Sequence, residues 1–254
     1  MLELRDVTKR YGALTAVKRL NLTLRPGEVL GYLGPNGSGK STTVKMIVGL
    51  MPPTRGQVLY DGTDIQTCLP DYKAIVGYVP EEAYVYTYLT GPEYLRLCGQ
   101  LRGISGAALE EKVDRFLRVF GLDQDIHAPM SSFSKGMRQK ILLSAALLHR
   151  PRVLVLDEPA SGLDISTALV MREVVGALAS EGCAVFYSSH ELDTVERIST
   201  RVLILRAGVV VADDSASKLR ELMSAPSLED VFSQLAVRED VSRVADAVLE
   251  AVRH

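Results

Sequence analysis

Gly34-Pro35-Asn36-Gly37-Ser38-Gly39-Lys40-Ser41-Thr42 is the stretch whose residue types and spacing could do chemistry unaided. The pattern G-x-x-x-x-G-K-[ST] lets backbone N–H groups wrap a polyphosphate. Lys40 would reach the β- and γ-phosphates, and the Ser41 hydroxyl would ligate Mg²⁺. The glycines admit backbone conformations and close approaches that a Cβ would block. Glu28 to Leu33 reads as a short buried strand, and Thr42 to Val48 as a helix stopped by Gly49 and Pro52-Pro53. Strand, loop and helix in that order set phosphates on a positive helix N-terminus. With those flanks the stretch predicts a nucleotide site; without them it would be a Gly-rich turn.

Asp157 and Glu158 form the second candidate pair, at the exit of the apolar run Val153 to Leu156. A ligand of an open α/β sheet sits at the carboxyl ends of the strands. Phosphoryl chemistry needs a carboxylate to hold Mg²⁺ and a group to orient or deprotonate the attacking water. Asp157 suits the first role and Glu158 the second. His190 stands two serines past another predicted strand end and could enter the same crevice or remain a surface residue. Tyr11, in Lys9-Arg10-Tyr11-Gly12, reads as a loop aromatic that could stack on a purine.

The elements that must position these residues follow from pattern. Leu2 to Leu4, Leu14 to Val17, Leu20 to Leu24 and Val58 to Tyr60 are short apolar segments separated by turns, predicting an antiparallel β layer. Ala74 to Val79 reads as a strand ending at Pro80, followed by Glu81 and a loop carrying Tyr84, Tyr86 and Tyr88. From Pro92 to about Phe120 the spacing is helical, interrupted near Gly103 to Gly106. A further helix is expected from about Lys140 to Leu148. After residue 150 strands alternate with helices (Val153 to Leu156, Ser166 to Ser180, Ala184 to Tyr187), predicting parallel βα units. Val202 to Leu205 and Val209 to Val211 predict a closing hairpin. Pro226 to Asp230 carries an S-x-x-D helix start, and Val241, Val244, Ala245, Val248, Leu249 and Val252 form an apolar stripe at helical spacing.

Composition narrows the function classes. The 254 residues are 47% hydrophobic and 24% charged, as in an ordinary globular protein. Net charge is −2, from 29 basic and 31 acidic residues without a long block of one sign, which disfavours a nucleic-acid binder. Three scattered cysteines offer no disulfide framework or metal spacing and suit a reducing compartment. The N-terminus lacks a signal-peptide pattern, and the longest apolar stretch, Ile141 to Leu148, is far short of the roughly 20 residues that span a bilayer. A soluble chain is expected, with any membrane connection made through a partner.

Taken in order, the motifs resemble the nucleotide-binding subunit of an ATP-binding cassette (ABC) transporter over nearly the whole chain. Gly34 to Ser41 matches Walker A, Val153 to Glu158 Walker B, Ser161 to Asp164 the D-loop and His190 the switch histidine. Ser134-Lys135-Gly136-Met137 matches the signature in variant form, with Phe133 and Lys135 replacing the usual Leu and first Gly. The resemblance implies a P-loop α/β core with a mainly parallel sheet, an N-terminal antiparallel layer and a helical subdomain at about 90–148. It places the ATPase domain at 1–220 and a helical extension at 221–254. ATP and Mg²⁺ are the implied cofactors. The implied nucleotide-binding set is Tyr11, Val17, Asn36, Gly37, Ser38, Gly39, Lys40, Ser41, Thr42 and Glu81, with Ser134 and Gly136 reaching the site of a second copy. Glu158, His190 and Lys40 are the implied catalytic groups, and Ser41, Asp157 and Glu81 the implied metal ligands. Glu81 departs from the family's usual Gln.

The implied partners are a membrane permease, docked near Tyr84 to Leu95, and a second copy or homologous subunit in a head-to-tail dimer. That places the protein in the cytoplasm, held at the membrane face through its permease. Pro226 to Leu235 resembles C-terminal segments of drug and polysaccharide exporters. A soluble ABC-type regulator of DNA or ribosomes is the alternative, and it would ordinarily carry a coiled-coil insertion or two cassettes. A regulatory module without turnover is disfavoured by the presence of Glu158 and His190.

Overall fold

Leu2, Leu4 and Val7 turn to one face of an N-terminal strand and are nearly inaccessible, the alternation of a half-buried strand. The structure is a computed structural model describing residues 1–82, 85–160 and 162–236. Tyr84, Ser161 and the stripe from Val241 to Val252 lie outside the described residues. Strand β1 (Leu2–Tyr11) pairs antiparallel with β2 (Leu14–Leu24), Leu2 opposite Leu24 and Leu4 opposite Leu22. The several short segments read from the sequence are thus two long strands. Their alternation breaks because the register shifts between Leu4 and Val7, with Asp6 at φ 49° and Arg19 at φ 48°. Bulged residues of this kind interrupt period two without ending the strand. Tyr11 is accordingly the last residue of β1 and not a loop residue.

Strand β3 (Val29–Leu33) leads to helix α1 (Lys40–Ile47), then β4 (Arg55–Tyr60), β5 (Thr63–Asp64), α2 (Leu69–Ile75) and β6 (Val76–Val79). Ala74 and Ile75 end a helix where the sequence suggested a strand, so the strand begins later. Helices α3 (Gly91–Leu101), α4 (Gly106–Val119) and α5 (Lys135–Leu147) follow, the last starting earlier than its apolar run. Then come β7 (Val153–Asp157), α6 (Ile165–Ser180), β8 (Ala184–Ser188), α7 (Leu192–Ile198), β9 (Arg201–Arg206), β10 (Val209–Asp214), α8 (Ala216–Met223) and α9 (Leu228–Ala236). Helices α2, α7 and α8 had no sequence forecast, being of seven or eight residues, too short for a periodic stripe. The expected S-x-x-D start holds: the Asp230 N–H donates to Ser227 Oγ at 3.2 Å.

Two sheets result. The first runs β2-β1-β4-β5, antiparallel throughout; the second runs β10-β9-β3-β8-β7-β6, parallel except for β10 at its edge. Every residue of β3, β7 and β8 is buried, as expected for parallel strands covered on both faces. One apolar cluster joins this sheet to the antiparallel one, and another fills the space towards α6 to α9. A third, around Leu95, Val113, Leu117, Phe133 and Ile141, gives α3 to α5 a core of their own. That subdomain opens on a capping box, the Thr90 N–H donating to Glu93 Oε2 at 2.8 Å and the Glu93 N–H to Thr90 Oγ1 at 3.3 Å.

Candidate nucleotide site

The phosphate loop is braced before any ligand arrives. Strand β3 delivers the chain at Gly34, and Gly39, at φ 108°, turns it into α1 with no side-chain cap. The first N–H groups of α1 therefore keep their capacity for an anion. A Cβ on Gly39 would meet the Ala16 carbonyl at 2.5 Å, so glycine is required there. Behind the loop the β9–β10 turn, with Ala207 at φ 50° and Gly208 at φ 78°, takes a type I′ shape. Its Gly208 N–H donates to the Ser38 carbonyl at 2.8 Å, and the Lys18 N–H donates to the Gly208 carbonyl at 2.8 Å. One tight turn thus locks the loop against both sheets.

Lys40 Nζ folds back onto its own loop, donating to the Gly34 carbonyl at 2.5 Å. Burial lowers its pKa, while Glu158, Asp157 and Glu81 oppose that shift. Asp157 ends β7 and Glu158 follows it, 4% and 8% exposed. Glu158 has φ 49°, a left-handed conformation costing a non-glycine residue about 1–3 kcal/mol. Its N–H donates to the Ser188 carbonyl at 2.9 Å. Its Oε2 lies 2.7 Å from His190 Nδ1 and accepts the His190 backbone N–H at 3.3 Å.

These groups line one cavity of about 600 Å³, with Tyr11, Leu14, Ala16, Pro35, Asn36, Gly37, Gly39, Ser41, Thr42 and Glu81. Ser38 is buried beneath it. Val17 is not part of the wall: its side chain is fully buried in the apolar core, and Ala16, pointing the other way from the strand, lines the cavity instead. Tyr11, 45% exposed, has its hydroxyl 3.2 Å from Met51 Sδ, where it donates. Leu14 pairs with it across the hairpin and is 67% exposed. Sequence reading missed Leu14; an apolar residue just past the Gly12 turn was the available signal. Ser134 and Gly136 do not reach this cavity. Ser134 instead caps α5, accepting the Met137 N–H at 3.2 Å.

Charge in the cavity is unbalanced. Asp157 is pushed up from 3.8 to about 6, first by burial and further by Glu81 and Glu158, with Ser188 and Lys40 opposing. Three carboxylates facing one lysine suit a divalent cation. Among the described residues no cluster of three or more His, Cys, Asp or Glu is placed to hold one. A hard cation bound through one or two protein oxygens and the phosphates of its ligand fits that donor set.

The raised acid has a measurable consequence. Between about pH 4 and about pH 6 the folded chain binds more protons at Asp157 than the unfolded chain. Its contribution to stability therefore falls as pH rises through that window. Asp157→Asn is expected to raise the Tm of nucleotide-free protein at neutral pH by about 2–6 °C. The gain should shrink below about pH 4. A scan showing no gain at pH 7, or the same gain in acid, would contradict the crowding.

A mainly parallel sheet with this loop at β3 and two acids at the end of β7 defines a P-loop nucleotide hydrolase. Residues 17–161 match the family model described as ABC transporter. The linearmycin resistance ATP-binding protein LnrL of Bacillus subtilis is 34% identical over 253 residues, covering 100% of this chain and 79% of its own. A solved ATP-binding subunit of an ABC transporter superposes with TM-score 0.86 at 32% identity, covering 92% of this chain and 98% of that one. The dimeric structure of a bacterial ABC transporter cassette gives TM-score 0.79 at 25% identity, with 85% and 98% covered. The chain belongs to the ABC transporter family and is an ATP-binding ATPase cassette.

Proposed function

We propose that this cassette powers an exporter, working as a head-to-tail dimer beneath a separate membrane permease. One observation carries the dimer. The cavity gathers the phosphate loop, Asp157, Glu158 and His190, yet leaves Ser134 and Gly136 outside it. The start of α5, which opens at an exposed Ser134, would close over the γ-phosphate of a second copy. A structural neighbour described as dimeric supports pairing of two copies. Export is supported by a relative named for linearmycin resistance. No helix among the described residues is long and apolar enough to cross a membrane, so a permease would supply the path and bring the chain to the membrane face. Affinity capture of the tagged protein from detergent-solubilised membranes tests this, the expected result being an integral membrane protein at stoichiometric yield. Recovery with ribosomes or DNA alone would overturn it in favour of a soluble regulator.

Within the site, Lys40 and the loop N–H groups hold the β- and γ-phosphates, and Tyr11 stacks on the base. Ser41, Asp157 and Glu81 would hold Mg²⁺, which supplies positive charge to the phosphates when bound. Glu158 accepts the proton of the attacking water, and His190 orients its carboxylate. Removing the γ-phosphate takes away the ligand that favours the closed dimer, so the balance returns to open.

Glu81 brings a full negative charge next to the γ-phosphate. Glu81→Gln is expected to change the Mg²⁺ concentration for half-maximal ATPase, or the turnover at saturation, by about twofold to tenfold. Superimposable magnesium titrations for the two proteins would remove Glu81 from the metal site.

A further inference from the structure

Gln139, in the second turn of α5, is 1% exposed and lies beside the buried Ile141, Leu142 and Leu143. Its Nε2 donates to the Pro159 carbonyl at 3.3 Å, while its Oε1 has no partner. An amide paired at only one end is a poor way to stabilise a core, where every unpaired polar atom is costly. What it does is hold the carbonyl one residue beyond Glu158. On the other side, the Glu158 N–H is held by the Ser188 carbonyl at 2.9 Å. The backbone at this left-handed residue is therefore gripped from both sides.

Further contacts join the same segments. A Cβ on Gly136 would lie 2.6 Å from the Gly162 carbonyl, and one on Gly162 would lie 2.9 Å from Lys135 Cδ. Lys140 Nζ stands 3.4 Å from Asp164 Oδ2, and Asp164 caps α6 by accepting the Thr167 N–H at 2.8 Å. With Gly136 this close to the Gly162 carbonyl, a shift of the start of α5 would move Gly162, and it would pull on Pro159 through Gln139 and on Asp164 through Lys140.

We infer that Gln139 is a positioning residue for Glu158, tying that carboxylate through Pro159 to the start of α5; the inference rests on Glu158 being the base proposed above. In a head-to-tail dimer each α5 start covers one ATP and each Glu158 serves the other. The tie makes seating of the lid on one site a condition for alignment of the base in the other. Lys140 supports it through Asp164, nearer the surface.

Gln139→Met keeps the length of the side chain and removes the donor. It is expected to lower kcat at least tenfold, with KM for ATP and the affinity for a fluorescent ATP analogue within twofold of the parent. Lys140→Met should show the same split with a smaller loss, about threefold, and provides the reading should the first variant fold poorly. In single-turnover assays, adding Gln139→Met to Glu158→Gln should cost nothing further, because both act through one carboxylate. Three results would overturn the inference: an unchanged kcat, a parallel loss of nucleotide affinity and Tm, or a full additional loss in the double variant. Retained turnover in Glu158→Gln alone would instead remove the base reading itself, so the two failures are told apart.

Discussion

Glu158→Gln is expected to hold ATP with parental affinity while its hydrolysis falls by about 10²–10⁴-fold, the usual worth of a positioned general base. The amide is isosteric, and its oxygen can still accept from His190, now 2.7 Å from Glu158 Oε2. The left-handed turn at φ 49° is unchanged by the exchange, so the loop should keep its shape. Only the capacity to take a proton from water is lost. Because the γ-phosphate then persists, the variant should run as a dimer on size exclusion with ATP and as a monomer with ADP. A variant that hydrolyses ATP at the parental rate would remove Glu158 from the base role; one that stays monomeric with ATP would count against the head-to-tail clamp.

Lys40→Ala should act one step earlier, at binding. Lys40 is the cation that Glu158, Asp157 and Glu81 all face in the cavity. Charge-assisted hydrogen bonds from it to phosphate would be worth about 1.5–3 kcal/mol, or about ten- to 150-fold in affinity. Without it the three carboxylates would also repel the nucleotide, so the loss should sit at the upper end of that range. Isothermal titration with ATP and magnesium reads the effect directly. Without nucleotide the variant's Tm should fall by about 2–4 °C, since the loop loses the bonds to the Gly34 and Pro35 carbonyls, at 2.5 and 3.5 Å, and the three carboxylates lose the cation that offsets them. Parental affinity in the variant would mean that the loop does not bind phosphate.

The fold class was legible in the sequence, as were most of the residues that line the cavity, and particular residues show why. Gly34 to Thr42 carries its whole pattern in nine consecutive positions, so no distant contact is needed to recognise it. Asp157 and Glu158 were legible because a run buried on both faces must end at the ligand-binding edge of a parallel sheet. Other residues failed for equally local reasons. Val17 and Ala16 are neighbours on a strand, so a one-residue difference moves a side chain from cavity to core. Tyr11 looked like a loop residue because bulges at Asp6 and Arg19 hide the continuity of β1 and β2.

By itself, the sequence determined the chemistry on offer: a phosphate loop, a pair of strand-end acids, a histidine and a variant signature, each written in contiguous residues whose roles follow from residue type. Tertiary structure alone decided which of them meet. It set His190 on Glu158, placed the β9–β10 turn under Ser38, crowded Glu81 and Glu158 towards Asp157, and joined Gln139 to Pro159 across 20 positions of chain. Those contacts depend on strand order and helix packing, which bring distant residues within hydrogen-bonding range and which no local spacing encodes.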